Sequence, residues 1–303
     1  MASVTPARTL VSHRHLGAIL TMLSMFGFAA MDSMSKWLVK DYPITQTLWV
    51  RYGIFTAFAL LIAHRTGIGR TGIGRAVWSA RPWLQAGRSL LGVVENGIFV
   101  LAFLYLPLAE THAVAATSPL IVIAISVVFL RERAGIHRWL AVAAGFAGVL
   151  LIIRPGFNTL TWPLLLPLAG ALLWAVYQVL TRLCAATDRP ETTLLWTAAL
   201  GFAATTLVGP WQWHTPDLTG WLLIFGVAVL GSLSHYALIR ALDFAEAGAV
   251  QPYSYALLVW ASLLGAVVFG DIPDRWTIFG GTVIVLSGIY TWNRDRVERQ
   301  PLG

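Results

Sequence analysis

Apolar stretches of about 20 residues recur along the whole chain, and this feature most constrains what the chain can fold into. Residues 90–106, for example, read LLGVVENGIFVLAFLYL, and about 20 apolar residues are what an α-helix needs to cross a bilayer. The 303-residue chain is 57% hydrophobic and only 12% charged, whereas roughly a quarter of the residues of a soluble domain are charged. We therefore predict an all-α membrane protein.

A hydropathy window of about 19 residues predicts ten transmembrane helices joined by short connections that often contain Pro or Gly. The first five are expected at 16–39, 44–64, 83–106, 109–130 and 138–153, and the second five at 163–182, 192–210, 220–242, 249–269 and 276–292. Residues 1–15 then form an N-terminal segment and residues 293–303 a C-terminal tail.

The distribution of Lys and Arg predicts the orientation of these helices. If the N-terminus is cytoplasmic, 15 of these residues fall on the cytoplasmic side and only 3 on the opposite side. Because cytoplasmic loops of membrane proteins carry the excess of positive charge, we expect both termini in the cytoplasm.

The two sets of five helices are similar to each other. FAAMDSMSKWL (28–38) aligns with WAVYQVLTRLC (174–184), and FLRERAGIHRW (129–139) aligns with FGDIPDRW (269–276). An odd number of spans per copy places the copies in opposite orientations, and inverted repeats are typical of secondary transporters, whose substrate site lies between the repeats near the midplane. We therefore predict two inverted five-helix repeats, 16–155 and 160–292, around a central cavity, although apolar helices can also align by chance.

The chain also resembles a known family, the EamA-type branch of the drug/metabolite transporter superfamily, which includes bacterial exporters of amino acids and related metabolites. Residues 116–156 and 251–290 resemble its two repeats, and the most specific matches are Glu132, the turn Gly270-Asp271-Ile272-Pro273, Pro119 and Pro252. The resemblance implies structural roles for Glu132 and Asp271 at helix ends.

The function that this resemblance implies is export of small metabolites across the bacterial inner membrane. Amino acids, including aromatic or hydrophobic ones, are the leading candidates, carried by alternating access or facilitated diffusion. A sugar-phosphate, nucleotide-sugar or drug/cation carrier of the same fold is the main alternative, and a channel or an intramembrane enzyme is a remote one. We expect a small-molecule substrate, contact with membrane lipid, no nucleic acid and a functional monomer, with protons as a further candidate partner.

Polar side chains within the predicted helices indicate where substrate is bound, because an ionisable group at the bilayer centre costs about 2.5–3.5 kcal/mol and normally faces a protein interior or a wet cavity. Glu95 and Asn96 lie in the middle of the third helix, on one face with Phe99. Five further helices carry polar or aromatic residues that we expect in the same cavity: Phe28, Asp32, His112, Trp174, Tyr177, Gln178, His235, Gln251, Tyr253 and Tyr255.

Structural roles remain open for several of these residues. Asp32 can pair with Lys36 one turn away, and Glu95 can pair with Arg88 or Arg51. Pro119 and Pro252 free backbone carbonyls inside a helix, and we expect bends there that serve gating, although a static kink fits equally well.

One apparent nucleotide motif is rejected. The segment RTGIGRTGIGR (65–75) contains G-x-G-x-x-G, but no strand precedes it and the match arises from a tandem TGIGR repeat, so we predict a flexible basic loop. No P-loop, H-E-x-x-H or G-x-S-x-G motif is present. We expect neither enzymatic activity nor a cofactor or metal.

Overall fold

The structure, a computed structural model, describes residues 7–66, 70–129, 136–153, 162–244 and 253–298. Regular structure in these ranges is helical, which confirms the all-α prediction. The helices are α1 (Ala7–Asp41), α2 (Ile44–Thr66), α3 (Arg70–Val77), α4 (Pro82–Tyr105), α5 (Leu108–Ala115), α6 (Ser118–Phe129), α7 (Ile136–Ile153), α8 (Leu165–Ala185), α9 (Pro190–Thr206), α10 (Leu218–Phe244), α11 (Ala256–Leu264) and α12 (Arg275–Glu298).

Five helical segments are long and apolar enough to cross a membrane. They are Leu16–Asp41, Ile44–Arg65, Pro82–Tyr105, Trp162–Ala185 and Leu218–Ala241, and Ala256–Phe269 is a shorter apolar segment. Their exposed faces are apolar as well, since Leu23, Val94 and Leu222 are each more than half exposed. Such surfaces suit lipid rather than water.

The fourth predicted span is two helices rather than one. The helix is interrupted by a turn at Ala116–Thr117, between α5 and α6. The hydroxyls of Thr117 and Ser118 donate to the carbonyls of Val114 and Ala115 at 2.7 and 2.6 Å. Pro119 is the second residue of α6, where its missing N–H has no intrahelical partner to lose. The break thus lies directly before Pro119.

The sequence predicted a flexible loop at 65–75, but part of this basic segment is helical. Residues Arg70–Val77 form the short helix α3, which packs against α2 and α9. Trp78 and Trp83, which follow it, are 83% and 89% exposed.

Helix α11 continues into a π-helical turn, Gly265–Phe269. This turn ends at Gly270, whose positive φ of 71° is readily adopted by glycine because it has no Cβ. The backbone N–H of Asp271 donates to the carbonyl of Gly265 at 3.1 Å. The turn fixes where the chain leaves the helix and therefore where Asp271 lies.

The main helix packing joins the first half of the chain to the second. α1 packs along α10, α4 along α8, α2 along α9, and α7 along α12. The last pair is held close by glycines: a Cβ at Gly148 would lie 2.8 Å from the carbonyl oxygen of Gly280, and one at Gly280 would lie 2.6 Å from that of Gly148. The α1–α10 and α4–α8 pairs border the cavity described next.

Candidate substrate site

A cavity lies between α1, α4, the α5–α6 break, α8, α10 and the start of α11. The space not occupied by atoms between these walls is about 930 Å³, a figure that includes open solvent. The lining residues are Met25, Phe28, Met31, Asp32, Glu95, Asn96, Phe99, His112, Ala115, Ala116, Ser118, Pro119, Trp174, Gln178, His235, Leu238, Ser254, Tyr255, Leu257 and Leu258.

Aromatic rings form much of the wall. Phe28 makes edge contacts with Trp174 and His235, at centroid distances of 6.4 and 4.8 Å. On the α4 side, Phe99 lies nearly parallel to His112, with an interplanar angle of 12°. Gly170 of α8 lets the Phe99 ring pack directly on the helix backbone, since a Cβ there would lie 2.8 Å from the ring. These rings offer flat surfaces to a bound molecule.

Asp32, the first acid of the cavity, lies beside His112. The Nε2 atom of His112 lies 3.2 Å from Oδ2 of Asp32, which is within ion-pair distance but is not aligned as a hydrogen bond. Both ring nitrogens of His112 are buried without a hydrogen-bond partner among the described residues. A buried polar atom of this kind normally has a partner, so a bound molecule or a water can supply the missing hydrogen bond.

Glu95 is the second acid of the cavity. It is only 7% exposed, and its carboxylate makes no hydrogen bond or ion pair with any residue that the structure describes. The neighbouring Asn96 accepts a hydrogen bond from Nη1 of the buried Arg51. Neither Arg51 nor Arg88 is therefore a direct partner of Glu95, although the sequence left both open.

Lys36 pairs with a different acid from the one its sequence position suggested. Its Nζ lies 2.5 Å from Oδ2 of Asp271 and 4.8 Å from the centre of the Phe269 ring. The i,i+4 pairing of Asp32 with Lys36 does not form, because the fold brings the turn after α11 to Lys36 and brings α5 to Asp32. Asp271 thus joins α1 to the second half of the chain.

A buried arginine, Arg88, organises a polar cluster that the sequence did not predict. It is fully buried and donates to Gln85, Tyr177, Thr181, Thr197 and the carbonyl of Thr193, at 2.8–3.4 Å. The cluster joins α4 to α8 and α9. Its signal in the sequence was an arginine within an apolar span, but its partners on α8 and α9 lie about 90–110 residues away.

The same cluster extends to Asp188 in the α8–α9 connection. Its carboxylate accepts hydrogen bonds from Ser79, from the backbone N–H of Ala80 and from Gln85, at 2.5, 2.8 and 2.8 Å. Partial burial by itself raises the pKa of Asp188, but these three hydrogen bonds favour the ionised form and bring its pKa below the usual value of an aspartate. The Asp188 carboxylate therefore links the α8–α9 connection to the residues that precede α4.

The cavity contains most, but not all, of the residues that the sequence indicated. Tyr177 lies behind the wall, stacked on Trp174 at 5.3 Å and bonded to Arg88, and Tyr253 is not among the lining residues. Gln251, Pro252 and Glu132 lie outside the described residues. Met31, Ser118, Leu238, Leu257 and Leu258 were not anticipated, because apolar and small residues carry no signal within apolar helices. No cluster suited to a metal ion occurs in the described ranges.

The sequence matches the EamA-like transporter family twice, over residues 15–154 and 161–293. The chain belongs to this family. It is therefore a multi-pass membrane protein and a secondary transporter rather than an enzyme, which confirms the family and class that the sequence suggested.

Curated relatives of this EamA-like transporter cover almost its whole length. A protein of Rhizobium johnstonii named riboflavin transporter is 28% identical over 99% of this chain and 97% of its own. An S-adenosylmethionine uptake transporter of Rickettsia bellii is 22% identical over 89% and 90% of the two chains. The pseudopaline exporter CntI of Pseudomonas aeruginosa is 25% identical over 90% and 94%. None of these three names refers to an amino acid as substrate.

A crystal structure with 21% sequence identity shares the fold of this EamA-like transporter. The superposition has a TM-score of 0.65 and covers 96% of this chain and 99% of the other. The arrangement of helices described above is therefore one that a solved protein adopts along its full length.

Proposed function

We propose that this protein carries riboflavin, or another flavin with the same ring system, across the bacterial inner membrane. The supporting observation is the wall of the cavity, which combines aromatic rings with Glu95, Asn96 and Gln178 and includes no Lys or Arg among the described lining residues. A flat, uncharged heterocycle can stack on such rings and exchange its hydration for hydrogen bonds to the polar groups. The name of the Rhizobium johnstonii relative agrees with this substrate.

Amino acids, the substrates expected from the sequence, fit this cavity less well. The carboxylate of a zwitterion is bound most strongly by Arg or Lys, and the described lining offers neither. The same argument disfavours sugar phosphates and nucleotide sugars, because phosphate sites use Arg or Lys.

A cation such as S-adenosylmethionine is the second candidate, since two acids line the cavity and the Rickettsia bellii relative is named for this substrate. However, each acid already has a positive or protonatable neighbour. His112 lies 3.2 Å from Asp32, and Arg51, bonded to Asn96, lies within electrostatic range of Glu95. An uncharged substrate therefore fits better than a cation.

For the mechanism, we propose ten transmembrane helices in two inverted repeats, 16–155 and 160–292, with both termini cytoplasmic and substrate reaching the cavity from each side in turn. The helix packing supports this arrangement. If the two repeats are exchanged, the α1–α10 pair becomes the α8–α4 pair, and the α2–α9 and α7–α12 pairs map onto themselves. We further propose that a single chain is sufficient and that the riboflavin gradient drives the flux.

The test is transport by purified protein in sealed liposomes. We expect saturable riboflavin uptake, accelerated by riboflavin inside the vesicle and unaffected by an imposed pH gradient. The substitution Trp174→Ala removes a stacking surface and should raise the KM for riboflavin by about 10-fold. The control Trp83→Ala removes a tryptophan that is 89% exposed and outside the cavity, and it should leave the KM unchanged.

The same assay distinguishes the competing substrates. Leucine, phenylalanine, a sugar phosphate and S-adenosylmethionine should not compete with riboflavin. Uptake no faster than in protein-free liposomes would overturn the riboflavin proposal. Stimulation by a pH gradient would contradict gradient-driven flux of riboflavin alone and would indicate that Asp32, Glu95 or a histidine carries a proton.

A further inference from the structure

Glu95 and Asn96 present a hydrogen-bond acceptor and a donor at adjacent positions of α4, and both line the same cavity. The carboxylate of Glu95 has no hydrogen-bond partner in the described part of the chain. The amide oxygen of Asn96 is bonded to Arg51, but no described residue accepts a hydrogen bond from its amide nitrogen. One acceptor and one donor are therefore left for a ligand.

Arg51 decides which end of the Asn96 amide remains for that ligand. A guanidinium group has only donors, so the amide atom that faces Arg51 is the oxygen. The nitrogen, with its two N–H groups, is then the end that remains. Arg51 is itself only 2% exposed, which restricts its movement and holds the amide in this orientation before any substrate arrives.

Burial makes the unpaired carboxylate of Glu95 informative. Glu95 is only 7% exposed, and leaving a buried donor or acceptor without a partner costs free energy that a bound molecule can recover. The neighbouring wall residues Phe28 and Phe99 have no polar side-chain atoms and cannot serve as that partner.

We infer that Glu95 and Asn96 bind the edge of a heterocycle at which a ring N–H stands beside a ring C=O, the lactam or imide edge. The ring N–H donates to the Glu95 carboxylate, and the adjacent carbonyl accepts from the Asn96 amide nitrogen. This inference rests on the proposed function, because the riboflavin ring system carries such an edge at N3–H, between the C2 and C4 carbonyls.

Other ligand groups match the pair less well. An ammonium group has donors only, so it would satisfy Glu95 and leave the Asn96 N–H groups unpaired. A carboxylate has acceptors only, so it would satisfy Asn96 and leave the Glu95 acceptor unpaired. A group with a donor and an acceptor side by side, and no net charge, satisfies both.

The experiment compares riboflavin with N3-methylriboflavin, which differs only in that the N3–H is blocked. Dissociation constants are measured by titrating purified full-length protein and following flavin fluorescence. The unchanged protein should bind riboflavin at least about 10-fold more tightly than the methylated compound, because methylation leaves the buried carboxylate unpaired.

Three variants locate the discrimination. Glu95→Ala removes the acceptor and should bring the ratio of the two constants to about 1, whereas Glu95→Gln keeps an acceptor oxygen and should retain most of the discrimination. Asn96→Leu should weaken both ligands by about 10-fold and leave the ratio unchanged, because both ligands keep their carbonyls. Glu191→Ala, a change in the first turn of α9, is the matched control and should behave like the unchanged protein.

The outcomes separate this inference from the proposed function. If the unchanged protein binds no riboflavin, both fail. If it binds riboflavin and the methylated compound equally well, the riboflavin proposal stands and the inference is wrong. If Glu95→Ala still prefers riboflavin to the methylated compound as strongly as the unchanged protein does, Glu95 does not bind the N3–H. Should Glu95→Ala not fold, the comparison of the two ligands on the unchanged protein still decides whether the N3–H is bound.

Discussion

Arg88 shows how much a single residue can organise in this protein. Its guanidinium is fully buried, and among the described residues it donates hydrogen bonds to neutral groups of α4, α8 and α9. Tyr177, one of these partners, also supports Trp174 from behind. The side chain thus contributes both to the packing of three helices and to the position of one cavity wall.

We predict that Arg88→Ala destabilises the protein by about 3 kcal/mol, because buried acceptors on three helices lose their donor. Thermal unfolding in detergent, compared with that of Arg81→Ala, measures the effect. Arg81 directly precedes α4 and is exposed, so its loss should change stability little. Equal melting temperatures for the two variants would show that the Arg88 cluster does not hold the helices together.

At the residue scale, the sequence indicated polar positions but not their partners. Glu95 and Asn96 were recognisable because polar residues in an apolar span need a reason to be there. The partner of Lys36 was not, since Asp271 lies 235 residues away and competes with Asp32 one turn along the same helix. Tertiary packing decides between two such acids, and a hydropathy pattern contains no information on it.

At the element scale, the contact between α7 and α12 depends on two glycines. A Cβ added at either glycine would lie within 3 Å of the carbonyl oxygen of the other. Backbone atoms of two packed helices cannot move aside as a flexible side chain can. Close approach of this kind is how small residues allow membrane helices to associate.

We predict that Gly148→Ala destabilises the protein by about 1–3 kcal/mol, because the added methyl group forces the two helices apart. Gly87→Ala is the matched control, since nothing lies within 4 Å of a Cβ at this helical position. That variant should be unchanged or more stable by up to about 1 kcal/mol, because alanine favours the helix. Thermal unfolding of the two variants in detergent tests this, and a stable Gly148→Ala would contradict the close contact.

Long elements were easier to predict than short ones. The apolar runs at 44–64 and 83–106 correspond to α2 and α4, whose ends differ by at most two residues from those expected. The run at 16–39 corresponds to α1, but this helix begins at Ala7, nine residues earlier than expected and within the predicted N-terminal segment 1–15. The short helix α3 was missed because its glycines favour a loop and its stability comes from packing on α2 and α9. Pro119 indicated a bend near the α5–α6 break. The position of the break depends on hydrogen bonds from side-chain hydroxyls, which a hydropathy window does not detect.

At the scale of the whole molecule, the proposed inversion places equivalent ends of the two repeats on opposite sides of the membrane. α1 and α8 are the first helices of the repeats, and they end near the exposed residues Asp41 and Ala186. In inverted repeats, Asp41 faces the outside and Ala186 the cytoplasm. In repeats of the same orientation, both face one side.

We predict that a membrane-impermeant thiol reagent labels Asp41→Cys in intact cells but labels Ala186→Cys only after the membrane is permeabilised. Both changes are made in a Cys184→Ser background, because Cys184 is the single native cysteine. Riboflavin uptake by each variant shows that the labelled protein is folded. Labelling of both positions from the same side would remove the inverted repeat and, with it, the proposed route of access.

The π-helical turn at Gly265–Phe269 adds a constraint on chain length. Its hydrogen bonds reach one residue farther than those of an α-helix, so it accommodates an extra residue just before Asp271. Deleting one residue there would rotate the following chain by about 100° and turn the carboxylate away from Lys36. The spacing of this segment is therefore as important as the aspartate itself, and a one-residue deletion should be as harmful to the ion pair as Asp271→Ala.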